Sequence, residues 1–291
     1  MKRSIWALTA AAVGALALAI AGCGDSGSSD PTKVAVNVTE NGQGDYAVSV
    51  PKEIQGGAVE LTLDNSKNQA PHDAQLVRLE GGHTYAEAAP ILNSDRPQEI
   101  PDWIQGYGGI GETSPGQTGT TTVKLDEGHY VLQDDAENGA KAPPYTEFDV
   151  KDTNDADLPD TDAKVTAATT DSGDPAHEYE WQTEGLKAGV NKITFDAQGD
   201  KALHVLVAAP INGNATIDQV AQELDSNGPP KSIDFEASNS TSVIDGGKQE
   251  VTTLDLKPGR YALICFLPDR DEPNKPHFKQ GLLKEVTIPS S

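Results

Sequence analysis

The residues able to do chemistry in this chain gather near its C-terminal end. An apolar, strand-like run from Tyr261 to Ile264 leads into Cys265, a polar loop containing prolines follows, and the loop delivers His277 before a closing strand at Glu285–Ile288. A soft thiolate at a strand end, with an imidazole returned by the next loop, supplies two donors of a mononuclear copper site. A second imidazole is needed, and His204, inside the apolar run from Ala202 to Val207, can supply it. The plainer reading of Cys265 is an inert buried thiol packing as a small hydrophobe.

The remaining candidates are weaker. His83 and His129 stand beside turns and His177 lies in a polar stretch, which reads as solvent. The run Asp269–Glu272 has the oxygen donors of a hard-cation site, but in so acidic a chain it reads as a wet loop. With 45 acidic against 22 basic residues and a net charge of −23, the chain lacks the basic surface that nucleic-acid phosphates require. The same charge opposes flat docking on anionic lipids.

Lys2 and Arg3 precede an apolar stretch from Ile5 to Ala21, the pattern of a secretory signal peptide over 1–22. It ends in Ala21-Gly22-Cys23, which resembles a bacterial lipoprotein signal. That resemblance implies cleavage before Cys23, acylation of its thiol, and anchoring at the outer face of the cell membrane. More than one acyl chain makes such an anchor stable. Residues 23–31, rich in Gly, Ser and Asp, have the composition of a flexible tether. With Cys23 acylated, Cys265 is the one remaining thiol, so no intramolecular disulfide forms.

The elements that must position these residues come in two copies. Leu61-Thr62-Leu63 matches Ile193-Thr194-Phe195, His72 matches His204 and Thr84 matches Thr216, all at one offset. Thr121–Leu125 matches Thr252–Leu256, and Gly128-His129-Tyr130 matches Gly259-Arg260-Tyr261, one residue out of step with the first set. The alternation in Val59–Leu63, Val123–Leu125 and Leu254–Leu256 predicts strands with one wet face. Thr84-x-x-Glu87 and Thr216-x-x-Gln219 are capping boxes, so each copy carries one short helix with an apolar stripe, Tyr85/Ala88/Ala89/Leu92 and Ile217/Val220/Ala221/Leu224. Short strands, Gly/Pro turns and a single helix predict an all-β fold of paired β-sandwiches: one domain over 32–150, an acidic linker over 151–163, and a second domain over 164–291. The inserts Asn93–Gly119 and Asp225–Gly247 read as long loops, either binding elements or mobile decoration, with Trp103, Ile100, Ile104 and Tyr107 forming a satellite core.

The arrangement resembles the cupredoxins, the blue-copper family of Greek-key β-sandwiches. The lead-in Gly259-x-Tyr261-x-x-x-Cys265 and the spacing from His277 through Gly281 to residue 282 match that family's ligand region. The resemblance implies tandem cupredoxin-like domains, with copper in the second held by His204, Cys265 and His277 and with Leu282 at the axial position. Leu282 cannot ligate, and the missing thioether should raise the redox potential. The loop between Cys265 and His277 is longer than in small electron-transfer members, and Val205 follows His204 where they commonly have Asn. In the first copy Asp134 replaces the cysteine and Pro143-Pro144-Tyr145 offers no histidine, so His72 is expected to serve structure through hydrogen bonds.

Two functions follow as expectations. One is a membrane-tethered protein binding one copper ion, passing electrons to a redox partner or handling copper. The other is a metal-free cell-surface binding module for a protein or polymer partner. Enzymatic activity is not expected, since no His-x-His pair, nucleophile triad or phosphate-binding loop is present.

Overall fold

A computed structural model describes residues 30–40, 45–94, 99–136, 142–226 and 228–290. The expected signal peptide, Cys23 and most of the expected tether lie outside the described residues. Strand occupies 49% of the structure and helix 8%, so the all-β expectation holds.

In the first half the strands are Thr32–Glu40 (β1), Tyr46–Ser49 (β2), Glu53–Gln55 (β3), Gly57–Asp64 (β4), His72–Leu79 (β5), Ile104–Thr113 (β6), Thr118–Leu125 (β7), Gly128–Gln133 (β8) and Tyr145–Lys151 (β9), with helix α1 at Tyr85–Leu92. In the second half they are Ala163–Thr169 (β10), Tyr179–Glu184 (β11), Gly189–Ala197 (β12), Leu203–His204 (β13), Val207–Pro210 (β14), Asn239–Ser240 (β15), Ile244–Asp245 (β16), Gln249–Leu256 (β17), Gly259–Ile264 (β18) and Leu283–Ile288 (β19), with helix α2 at Ile217–Leu224. The internal repeat survives in the pairing. β1 pairs antiparallel with β2 and parallel with β4, and β10 pairs in the same two ways with β11 and β12. The capping boxes form as expected: Thr84 N–H donates to Glu87 at 2.8 Å and Thr216 N–H donates to Gln219 at 2.9 Å.

The expectation of tandem cupredoxin-like Greek-key sandwiches is overturned. The two halves do not close separately, because one sheet runs through both in the order β11-β10-β12-β17-β7-β4-β1-β2. A second sheet, β13-β16-β6-β5-β8-β9-β3, also takes strands from both halves, and β15-β14-β18-β19 make a third. The chain reads as a β-solenoid of about five turns. The physical reason lies at the strand edges. β7 and β17 each present unpaired backbone groups, and they satisfy one another at Val123–Glu250 and Thr122–Val251. Thr121 and Thr252, matched residues of the repeat, share a buried hydroxyl hydrogen bond of 2.9 Å.

The long inserts are corrected with the fold. They supply β6 and β16, which meet at Tyr107 and Ile244. Gln75 clasps the same seam, its amide donating to the Val243 carbonyl at 2.9 Å and accepting the Val243 N–H at 2.6 Å. The 151–163 segment is not a free linker either. Asn154 accepts the Ala58 N–H at 3.1 Å and donates to the Ala58 carbonyl and to Thr32, and Ala156 is buried.

Apolar side chains gather chiefly into two large clusters. One is built on Val34, Leu61, Leu76, Tyr130 and Phe148, the other on Val165, Trp181, Ile193, Phe195 and Leu263. Cys265 and Leu282 belong to the second cluster. Ile100, Trp103 and Ile104 do form a smaller cluster, packed with α1, whereas Tyr107 joins the first large one.

Candidate metal centre

Cys265 follows β18, whose buried run Tyr261–Ile264 carries it into the second core. His204 ends β13, which is tied to β16 through the Leu203–Asp245 and His204–Ile244 pairs. His277 opens a single turn of 3-10 helix, His277–Lys279, and its backbone N–H donates to the Leu267 carbonyl at 2.8 Å. The thiol and both imidazoles are 0% exposed. One potential donor atom from each lies within 4.8 Å of the others.

The tautomers are set by the groups behind the rings. His204 Nε2 is 2.7 Å from the Gln198 carbonyl, which can only accept, so Nε2 carries the proton and Nδ1 keeps its lone pair. His277 Nε2 faces Asp269 Oδ1 at 3.2 Å, which orients that ring in the same way. Both free Nδ1 atoms point at the thiol, 4.0 Å from Cys265 Sγ for His204 and 3.5 Å for His277. Ligands spread at 120° around one ion, with a thiolate bond of about 2.3 Å and an imidazole bond of about 2.0 Å, stand about 3.7 Å apart, and the two observed separations bracket that value. The group can therefore hold a metal ion in principle.

Electrostatics keep the His204 nitrogen a neutral donor and the thiol protonated. Burial, and after it the neighbouring His277, pushes the His204 imidazole down to about 3. Burial pushes the Cys265 thiol up to about 12, opposed by the backbone N–H groups of Val205 and Leu267 at the sulfur. Metal binding would thus have to displace a proton from Cys265. The Val205 backbone reaches the sulfur whatever its side chain, so lack of an Asn at that position removes no backbone donor.

Leu282 is fully buried. Its carbonyl accepts the Cys265 N–H at 3.1 Å and its N–H donates to the His277 carbonyl at 2.9 Å, so residue 282 sits between the two donors and itself offers none. Gly281 precedes it with φ +112, and a side chain there would meet the Tyr179 carbonyl at 1.9 Å. Only glycine lets the chain pass that point.

Asp269 was missed by the sequence reading. It is not part of a wet loop: its carboxylate holds His277 and accepts the Tyr179 hydroxyl at 2.8 Å. Burial alone would raise its pKa, but the His277 and Tyr179 hydrogen bonds hold it below the ordinary carboxylate value. Its neighbour Arg270 is also buried, whereas Asp271 is exposed and paired with Lys201. The available signal was a tyrosine at position 179 with an acidic group eight residues before the loop histidine, too slight to single out.

The corresponding place in the first half holds no thiol. His72 Nδ1 lies 2.6 Å from Asp134 Oδ2 and Nε2 lies 3.3 Å from Glu40, so its ring is spent on two carboxylates, in line with a structural role. His83, His129 and His177 are partly or largely exposed and face carboxylates.

No family model matches this chain, and no curated protein does. Among solved structures it is similar to the crystal structure of Lac15 from a marine microbial metagenome, at 9% identity over 90% of this chain and 68% of that one, with a TM-score of 0.24. So low a score bears on neither fold nor function. Fold and site together define an all-β protein with, among the described residues, one buried His/Cys/His group.

Proposed function

We propose that this protein is a lipid-anchored, extracytoplasmic electron carrier in which His204, Cys265 and His277 hold one copper ion. The observation that carries the reading is the convergence of one thiol and two imidazole nitrogens that face it in a fully buried group. Two histidines and a cysteine without a strong fourth ligand are the donor set of blue-copper electron-transfer sites. Bound copper would supply one-electron chemistry between its two common oxidation states. The protein's part is to hold the donors still: Gln198 and Asp269 fix the rings, and Leu282 and Tyr179 close the space around them. Full burial leaves no path for a substrate to reach the donors directly, which favours transfer of an electron through the protein over turnover of a bound ligand. The anchor at Cys23 and its tether would keep the folded part near a membrane-bound redox partner.

The test is a visible spectrum of the protein before and after one equivalent of Cu(II). An intense thiolate-to-copper band in the wild type, lost in Cys265→Ser, is expected. A colourless wild type that retains no copper after desalting would overturn the reading. For the anchor, incorporation of labelled fatty acid should vanish in Cys23→Ser.

A further inference from the structure

The loop between Cys265 and His277 is held from outside its own half of the chain. Arg270, in the middle of that loop, is 7% exposed. Its Nη2 donates to Asp245 Oδ2 at 2.6 Å, and its Nη1 donates to the Pro101 carbonyl at 3.1 Å and faces the Ile100 carbonyl at 3.4 Å. The backbones are tied as well: Ile100 N–H donates to the Arg270 carbonyl at 3.1 Å, and Arg270 N–H donates to the Lys201 carbonyl at 3.0 Å. Asp245 Oδ1 meanwhile accepts the Gly106 N–H at 3.0 Å. One guanidinium and one carboxylate thus join the start of β6, the strand β16 that pairs with His204's strand, and the loop that delivers His277.

The connection to the donors is short. Asp269, next to Arg270, orients His277, and its backbone bridges to Ala202, two residues before His204. A buried ion pair contributes little net stability against an apolar replacement, but it selects one arrangement of the segments it joins. The planar fork of arginine can engage a carboxylate and a carbonyl at once, which the point charge of lysine does less well.

We infer that Arg270 is a positioning residue for the metal loop, and that the first half of the chain, which contributes none of the three donors, serves as the clamp it grips. This rests on the reading of His204, Cys265 and His277 as ligands. The clamp resists opening of the loop, so it holds the donors in place whether or not a metal is bound.

The experiment uses the full chain carrying Cys23→Ser, which leaves Cys265 as its one thiol. Two versions are compared with that parent: Arg270→Lys, and the pair Arg270→Met with Asp245→Asn, which leaves no orphan buried charge. Alkylation of Cys265 by iodoacetamide is followed in the metal-free protein against urea concentration. In the parent it should track global unfolding. In the paired variant it should rise at least about tenfold at low urea and lose its urea dependence there, the mark of local opening, with the lysine variant between the two. After Cu(II) is added, the thiolate band should shift or broaden in the same order. Labelling that still tracks global unfolding in both variants would overturn the clamp. Labelling that responds while the parent takes up no copper would uphold the positioning of the loop and overturn the copper reading.

Discussion

Glu250 offers a sharp test of the seam between the halves. It lies on β17 and is fully buried, with Oε2 accepting the Gly109 N–H at 3.0 Å and with no hydrogen-bond partner for Oε1. Burial, only partly opposed by that hydrogen bond, raises its pKa from 4.5 to about 8. The folded protein therefore keeps a proton that the unfolded chain releases. The stability this contributes is fully present below about pH 4.5, falls by about 1.4 kcal/mol per pH unit above it, and is lost by about pH 8, in all about 5 kcal/mol. Glu250→Gln keeps the shape and stays neutral, so it should remove this dependence. Its amide group finds no acceptor and adds a cost of about 1–3 kcal/mol that does not vary with pH. Urea unfolding of wild type and variant at intervals from about pH 5 to about pH 9 separates the two effects. The variant should gain on the wild type steadily up to about pH 8 and then hold its advantage. Stability curves that stay parallel across the range would refute the assignment of a protonated, buried Glu250.

Other outcomes follow from the same contacts. Asn154→Ala removes the side chain that satisfies the Ala58 N–H and carbonyl, and should cost about 1–3 kcal/mol in urea unfolding; no change would mean that the 151–163 segment is not docked. Leu282→Met conserves volume and places a thioether beside the donors, so the copper-loaded variant should show a lower reduction potential in a redox titration. An unchanged potential would place residue 282 outside the axial position. Tyr179→Phe deletes the 2.8 Å hydrogen bond to Asp269 and should destabilise the protein by about 1 kcal/mol by thermal or chemical unfolding, with Asp269 then titrating nearer the ordinary carboxylate range.

The amino-acid sequence by itself determined whatever depends on local pattern. Alternation set the strands at Val59–Leu63 and Leu254–Leu256, and the Thr-x-x-Glu and Thr-x-x-Gln boxes set both helices, because these signals act over a few residues. His204, Cys265 and His277 were legible as candidate donors because few residue types can bind a soft metal. Tertiary structure alone decided the rest. A strand's pattern does not say which edge it will meet, so the joining of β7 to β17 and of β6 to β16, and with it the loss of two separate sandwiches, could not be read from either half. The exposure of a carboxylate is not written in its residue type, which is why Asp269 read as solvent: its partner Tyr179 comes from a strand 90 residues away, and only that packing turns the carboxylate onto His277. Whether the three donors converge was equally undecided by spacing. Hydrogen bonds from the rings to Gln198 and Asp269 turn both imidazoles toward the thiol, and those partners are in place only once the sheets have formed.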